Sequence, residues 1–220
     1  MDAHTHLDAC GAHDAATTAA ILDRAAAVGV GRVVTVADDL DAAKFAVEAA
    51  HWDERVFAAV AIHPTRANSL DDAMRADIET LAADPRCVAV GETGLDYYYD
   101  NSPRPAQRAA FASHVGLARE LDKALVVHCR EAMADVLAVL DGEGAPPRVV
   151  FHCFAGDTRA ATRVVEAGWY VSFAGTVTFR NAPGLRAACA AVPLERMVLE
   201  TDSPFLSPHP FRGRPNHPAR

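Results

Sequence analysis

Short apolar, β-branched segments alternate with helix-like stretches along the whole chain, and this alternation limits the possible folds more than any other feature. Each apolar segment is long enough for a buried parallel strand and too short for a helix. Such a repeat predicts right-handed βαβ units and a parallel sheet. Including the N-terminal segment through Ala3, eight strands are predicted; the others cover residues 33–36, 56–62, 87–90, 125–127, 149–151, 170–173 and 197–199.

Seven helix-like stretches separate these strands, at residues 15–28, 41–51, 69–83, 105–122, 131–140, 158–167 and 183–191. Eight strands predict an α/β fold of the TIM type, a (β/α)8 barrel formed by residues 1–220 as one domain. A Pro-rich segment leads from the last strand to Arg220, so we expect the last helix to be lacking or truncated. An open doubly wound sheet is the alternative, but no Gly-x-Gly-x-x-Gly follows the first strand.

Composition limits the cellular compartment and the classes of partner that we expect for this chain. The net charge of −8 disfavours a broad basic groove for nucleic acid. The five cysteines include no Cys-x-x-Cys pair, which favours a reducing cytoplasm over a disulfide framework. The first residues are neither basic nor apolar, and no apolar run reaches the roughly 18 residues that span a bilayer. We therefore expect a cytoplasmic protein with no membrane partner.

Polar side chains occur where the predicted strands end, and the carboxyl ends of barrel strands are where active sites form. Six segments contribute such residues, so we expect them to converge on one mouth. These residues are His4, His6, His63, Glu92, His128, His152 and Asp202.

The residue types at this mouth predict a metal centre. His4 and His6 are two residues apart, so strand alternation turns both rings to the same side. Glu92 and Asp202 need a partner, because a buried carboxylate is costly unless it is paired or bound to a metal. Four histidines and two acids exceed the needs of one tetrahedral ion, whereas two divalent ions (Mg, Mn or Zn) bridged by Glu92 would use them all.

Other residues near the strand ends are candidates for substrate binding. Arg130 follows His128 by two positions and is predicted to bind an anionic substrate, with a surface salt bridge as the equal alternative. Asp96 and the three tyrosines at 97–99 could line a substrate groove, although we expect at least two of these tyrosines to pack within their loop. Further positive charge at the mouth could come from Arg180, Arg212 and Arg214.

Taken together, these motifs resemble those of the TatD family of metal-dependent hydrolases, in the family's order and across nearly the whole chain. The matching segments are Asp2-Ala3-His4-Thr5-His6-Leu7-Asp8, Ala61-Ile62-His63-Pro64, Gly91-Glu92-Thr93-Gly94-Leu95-Asp96-Tyr97, Val127-His128-Cys129-Arg130, Phe151-His152-Cys153-Phe154-Ala155-Gly156, Ser172-Phe173-Ala174-Gly175-Thr176-Val177-Thr178-Phe179 and Leu199-Glu200-Thr201-Asp202-Ser203-Pro204-Phe205-Leu206.

The resemblance implies a TIM barrel of the amidohydrolase superfamily with nuclease activity on DNA. It also implies which residues hold metal: His4, His6, Glu92 and Asp202 for one ion, and Glu92, His128 and His152 for a second. His63 would lie beside the ions as a phosphate or proton partner. Members of the family continue further, through a last helix.

The leading hypothesis is a deoxyribonuclease or phosphodiesterase that cleaves DNA ends through a metal-activated water. Asp202 would orient the water and accept its proton, Glu92 would bridge the ions, and His63 or Arg130 would neutralise the phosphate. Because the chain is acidic, the expected substrate is single-stranded or terminal DNA, or a small phosphodiester. The enzymatic alternative is an amidohydrolase acting on an amide, lactone or ester with the same two ions, and the non-enzymatic one is a barrel with a structural metal.

Overall fold

The computed structural model describes residues 1–220, and its strands form one parallel sheet in which each lies beside its neighbours in the chain. This order and the alternation with helices define a TIM-type (β/α)8 barrel, as predicted. The strands are β1 (Asp2–Thr5), β2 (Val33–Val36), β3 (Val56–Val60), β4 (Cys87–Asp96), β5 (Ala124–Arg130), β6 (Val149–Phe151), β7 (Tyr170–Phe173) and β8 (Met197–Leu199).

One helix follows each of the first seven strands and packs on the outside of the sheet. Residues 200–220 contain no helix. The helices are α1 (Ala15–Ala26), α2 (Leu40–Trp52), α3 (Asp72–Ala82), α4 (Arg104–Glu120), α5 (Met133–Glu143), α6 (Thr158–Glu166) and α7 (Pro183–Ala191).

Aspartate side chains begin four of the seven helices. Each accepts a hydrogen bond from a backbone N–H three residues later, which satisfies a group that has no partner within the helix. The prediction that the third helix begins at Ser69 was wrong, because Ser69 ends a 3₁₀ turn, Pro64–Ser69. The capping residues are Asp14, Asp39, Asp71 and Asp157.

Strand β4 is longer than the predicted segment 87–90, and glycine is the reason. At Gly94, where φ is 139°, a Cβ atom would lie 2.1 Å from the carbonyl oxygen of His128 on β5. Only a residue without a side chain therefore lets the two strands stay paired as far as Asp96 and Arg130. As a result Glu92 lies within β4, not at its end.

Polar side chains close the barrel between β1 and the segment after β8. Thr201 donates to the Asp2 carboxylate from its backbone N (2.9 Å) and its hydroxyl (2.6 Å). Thr5 and Ser203 form a parallel β-bridge, and their hydroxyl oxygens are 2.6 Å apart. These contacts bring the first strand beside the last and place residues from both ends of the chain at one mouth.

Buried apolar side chains form two separate groups. The larger one lies between the sheet and the helices and includes Phe111, Leu125 and Phe151. The smaller one fills part of the barrel interior and comprises Val34, Val36, Ala59, Ala89 and Val126. Val126 is two residues before His128, so both side chains point to the same face of β5. None of the helices is both long and apolar enough to cross a membrane.

Candidate metal centre

A cavity of about 500 Å³ opens at the carboxyl ends of the strands. It brings together His63, Arg130 and five of the six predicted metal ligands, and the sixth, His4, lies completely buried below it. None of Arg180, Arg212 and Arg214 lines this cavity. The guanidinium of Arg212 stacks on Phe179 at 4.3 Å.

One group of ligands joins the two ends of the chain. The Nε2 atom of His4 lies 3.7 Å from Glu92 Oε1 and 3.9 Å from Asp202 Oδ1. The Nε2 atom of His6 lies 3.7 Å and 3.6 Å from the same two oxygens. These separations are too long for hydrogen bonds. They suit ligands that each lie about 2 Å from a shared ion.

A second group surrounds the other oxygen of Glu92. Glu92 Oε2 lies 2.7 Å from His152 Nε2 and 3.3 Å from His128 Nδ1. The two ring nitrogens are themselves 3.3 Å apart. The two carboxylate oxygens of Glu92 thus face different sets of imidazoles, which is the arrangement of a carboxylate able to bridge two ions.

Outer contacts set the orientation of two of these rings. The Nδ1 atom of His6 lies 2.8 Å from the carbonyl oxygen of Val36, so Nδ1 donates there and the neutral ring keeps its Nε2 lone pair for the centre. The Nδ1 atom of His152 faces Glu200 Oε1 at 3.5 Å. Both rings therefore present Nε2 to the carboxylates.

Buried nitrogen atoms without partners show that the residues fit a metal. Neither ring nitrogen of His4 has a hydrogen-bond partner, and Nδ1 of His152 also lacks one. Such groups are rare in folded proteins because an unmet donor or acceptor is costly. A cation at His4 Nε2 would satisfy one of them. Imidazoles with carboxylates, and no thiolate, suit Zn, Mn or a similar divalent ion.

The charges at the centre compensate each other. Burial would raise the pKa of Glu92, but the nearby imidazoles of His152 and His63 hold it well below its usual value. Burial would lower the pKa of His6, but the nearby carboxylates of Asp202 and Glu92 raise it to about 9. Ionised acids thus stabilise protonated imidazoles here, and a metal ion must displace these protons to bind.

His63 differs from the other histidines of the cavity. Its Nδ1 accepts a hydrogen bond from the backbone N of Thr65 at 3.2 Å, so the neutral ring carries its proton on Nε2. That Nε2 lies 3.7 Å from Glu92 Oε2. Burial lowers the pKa of His63 to about 4. At neutral pH this side chain therefore offers an N–H donor to the cavity.

Arg130 and Tyr99 line the rim of the cavity, and Tyr98 stacks on Arg130 beside them. The Arg130 guanidinium lies 4.0 Å from the ring centre of Tyr98 and 4.8 Å from that of Tyr99. Both rings are more than half exposed. Only Tyr97 packs within the fold, where its hydroxyl donates to Asp135 at 2.7 Å. The expectation that at least two tyrosines pack was wrong, because stacking on Arg130 holds two of them at the rim.

Two further buried acids lie at the site, and neither was predicted to contact a proposed metal ligand. Glu200 accepts a hydrogen bond from the backbone N of Cys153 at 2.6 Å while facing His152. Asp96, which the sequence placed in a substrate groove, is 1% exposed, and its Oδ2 lies 3.0 Å from His128 Nε2. The sequence carried a signal for Glu200, because it lies two residues before Asp202 at the same strand end.

A TIM-type barrel with imidazoles and carboxylates at the carboxyl ends of its strands defines a metal-dependent hydrolase. A family model described as TatD related DNase matches residues 1–220. The chain belongs to this family, as its motifs suggested.

Relatives and solved structures agree with this assignment. An uncharacterized metal-dependent hydrolase TatD of Mycobacterium tuberculosis is 54% identical, over 99% of this chain and 84% of its own length. The 3'-5' ssDNA/RNA exonuclease TatD of Cronobacter sakazakii is 34% identical, over 89% of this chain and 75% of its own. The crystal structure of YJJV, a TatD homolog from Escherichia coli K12, superposes with a TM-score of 0.90 at 28% identity, covering 99% of this chain and 84% of that one.

Proposed function

We propose that this metal-dependent hydrolase cleaves phosphodiester bonds of DNA, at single-stranded or terminal positions. The observation that carries the proposal is the split of the Glu92 carboxylate between two ligand groups, His4 with His6 and His128 with His152. Two divalent ions (Mg, Mn or Zn) fit this arrangement, and paired ions are well suited to displacement at phosphorus. The similarity to a 3'-5' ssDNA/RNA exonuclease of Cronobacter sakazakii supports the same substrate class.

Ions bound here would supply Lewis-acid activation of water and neutralise charge on the phosphate. Residues of the chain orient the water, accept its proton and bind the phosphates. Asp202 orients the attacking water and takes its proton, because its carboxylate reaches the cavity beside His6. His63 donates its Nε2–H to a phosphoryl oxygen, which its uncharged ring can do without competing for metal. Arg130, at the rim, pairs with a neighbouring phosphate of the strand.

The experiment compares specificity constants for a labelled single-stranded oligonucleotide, a closed circular duplex and a panel of lactones, with Mg, Mn or Zn supplied. We expect the oligonucleotide to be the best substrate, and the circular duplex to resist cleavage because it has no ends. Asp202→Asn serves as the control for contaminating nuclease. Faster cleavage of lactones, or no cleavage of DNA with any of the ions, would overturn the proposal in favour of an amidohydrolase acting on an amide, lactone or ester.

A further inference from the structure

The Asp96 carboxylate connects the metal centre to the rim of the cavity. Its Oδ2 lies 3.0 Å from His128 Nε2. Its Oδ1 accepts hydrogen bonds from the backbone N atoms of Tyr98 (3.0 Å) and Tyr99 (2.8 Å). Each oxygen therefore serves a different part of the site: one holds a proposed metal ligand, and the other holds the loop whose rings stack on Arg130.

The backbone of Asp96 is itself held in place. The buried side chain of Gln107, on α4, accepts from the Asp96 backbone N at 2.8 Å and donates to its carbonyl oxygen at 3.1 Å. The carboxylate thus projects from a point fixed on two sides. The anchored carboxylate therefore determines the position of the His128 ring, and the ring does not determine the position of the carboxylate.

Hydrogen-bond chemistry then decides which nitrogen of His128 faces the centre. An ionised carboxylate only accepts, so Nε2 of His128 must carry a proton. In the neutral ring Nδ1 then has a free lone pair, and this atom faces Glu92 Oε2 and His152 Nε2 at 3.3 Å each. We propose that Asp96 is a positioning residue that assigns Nδ1 of His128 to the metal. The inference rests on the proposed ligand group of Glu92, His128 and His152.

An amide at position 96 cannot replace the carboxylate. If its oxygen stays on the N–H groups of Tyr98 and Tyr99, its NH₂ faces His128 Nε2. Two donors then oppose each other, unless the ring moves its proton to Nδ1 and loses the lone pair that binds metal. Removing the side chain with alanine causes no such conflict. Asp96→Asn should therefore bind metal more weakly than Asp96→Ala, the reverse of the order expected for a purely structural residue.

Calorimetric titration of the metal-free protein with Zn or Mn tests this order. We expect Asp96→Asn to weaken one of two binding events by roughly 10- to 100-fold, with a smaller loss in Asp96→Ala. Asp135→Asn is the matched control, because Asp135 holds Tyr97 of the same loop and does not contact His128. Equal or tighter binding by Asp96→Asn than by Asp96→Ala would overturn the assignment.

His128→Ala separates this inference from the function it rests on. If His128→Ala binds metal like the wild type, the proposed ligand group is wrong and the inference is overturned with it. If only the Asp96 variants bind like the wild type, the inference alone is overturned. A long-range ¹H–¹⁵N spectrum of the zinc-loaded wild type reads the ring directly and does not depend on folding of a variant. Coordination through Nδ1 supports the assignment, and coordination through Nε2 contradicts it.

Discussion

At the scale of single residues, Glu92 is the side chain on which both ligand groups depend. Its two oxygens face different imidazoles, so an amide would remove the charge and one of the two metal-binding atoms. We expect Glu92→Gln to lower turnover by roughly 100-fold or more and to reduce the number of bound ions from two to one. Elemental analysis and turnover at saturating metal provide the measurement, with the exposed Glu79→Gln as control. Two bound ions and normal turnover in Glu92→Gln would contradict the bridging role.

His114 is a buried histidine away from the metal centre, and it makes stability depend on pH. Its Nδ1 lies 2.8 Å from the Thr93 hydroxyl, and burial, aided by the charge of Arg75, lowers its pKa to about 3. The unfolded chain takes up a proton on this residue below about pH 6.5, whereas the folded protein does so only near pH 3. The contribution of His114 to stability is therefore full above pH 6.5 and is lost progressively as the pH falls toward 3.

Replacing His114 by glutamine should remove this sensitivity, because the amide can still form a hydrogen bond with the Thr93 hydroxyl and has no group that titrates. We expect the wild type to lose about 2 kcal/mol more than His114→Gln between pH 7 and pH 5. Urea unfolding at the two pH values measures the difference, with the exposed His13→Gln as control. Parallel losses in all three proteins would show that His114 is not responsible.

At the scale of elements, the alternation of strands and helices was predictable, and α7 was placed correctly to the residue. Strand β4 was not, because its extension depends on how closely β5 approaches the backbone, which residues far apart in sequence decide. The start of α3 was missed for a local reason, because Ser69 and Asp71 are both capable of capping a helix and lie two residues apart. In the structure the Asp71 side chain accepts the hydrogen bond from the backbone N–H of Met74. The mouth residues followed from strand ends, and the spacing of Glu200 and Asp202 offered a further signal. The contact of Asp96 with His128, in contrast, depends on tertiary packing.

Two glycines, Gly94 in strand β4 and Gly116 in helix α4, should respond in opposite ways to substitution by alanine. Gly94→Ala would force a Cβ against the His128 carbonyl at a φ that side chains avoid, so we expect a loss of about 3 kcal/mol or more. Gly116, inside α4, has open space around its would-be Cβ, and Gly116→Ala should gain up to about 1 kcal/mol. Thermal unfolding of both variants checks the pair. Similar stability changes in the two would refute the close approach of β4 and β5.

At the scale of the whole molecule, metal binding and folding should be linked. The proposed ligands lie on β1, β4 and β5 and in the segments after β1, β6 and β8. They meet only in the folded barrel, so we expect an ion to bind the native state alone. Free metal at 100 times its Kd would add about 2.7 kcal/mol. We expect the melting temperature to rise with added Zn or Mn and to fall with EDTA. Asp202→Asn should respond less than the wild type, and a melting temperature independent of metal would contradict the linkage.

The net negative charge of the chain and the few positive charges at the cavity also predict how the proposed DNA cleavage depends on salt. With a net charge of −8, the proposed site would offer few positive charges to DNA phosphates beyond Arg130 and the ions. Since the salt dependence of binding scales with the number of neutralised phosphates, we expect a shallow slope. Measuring the KM for a single-stranded oligonucleotide at several salt concentrations gives that slope. A steep decline, corresponding to six or more phosphates, would indicate an extended binding groove.

The seam between β1 and the segment after β8 has a consequence for chain topology. Thr5 and Ser203 are 198 positions apart, so closing the barrel restricts a loop that spans nearly the whole chain. Loop closure of this kind carries an entropic cost that grows with length. His4 and His6 lie on one side of the seam and Asp202 on the other, so an ion shared by them would act as a reversible cross-link between the chain's two ends. Chelation of the metal should let the seam open more often. The backbone amide of His6 donates to the Ser203 carbonyl across the seam, so chelation should accelerate its exchange with solvent more than that of the amides in α4.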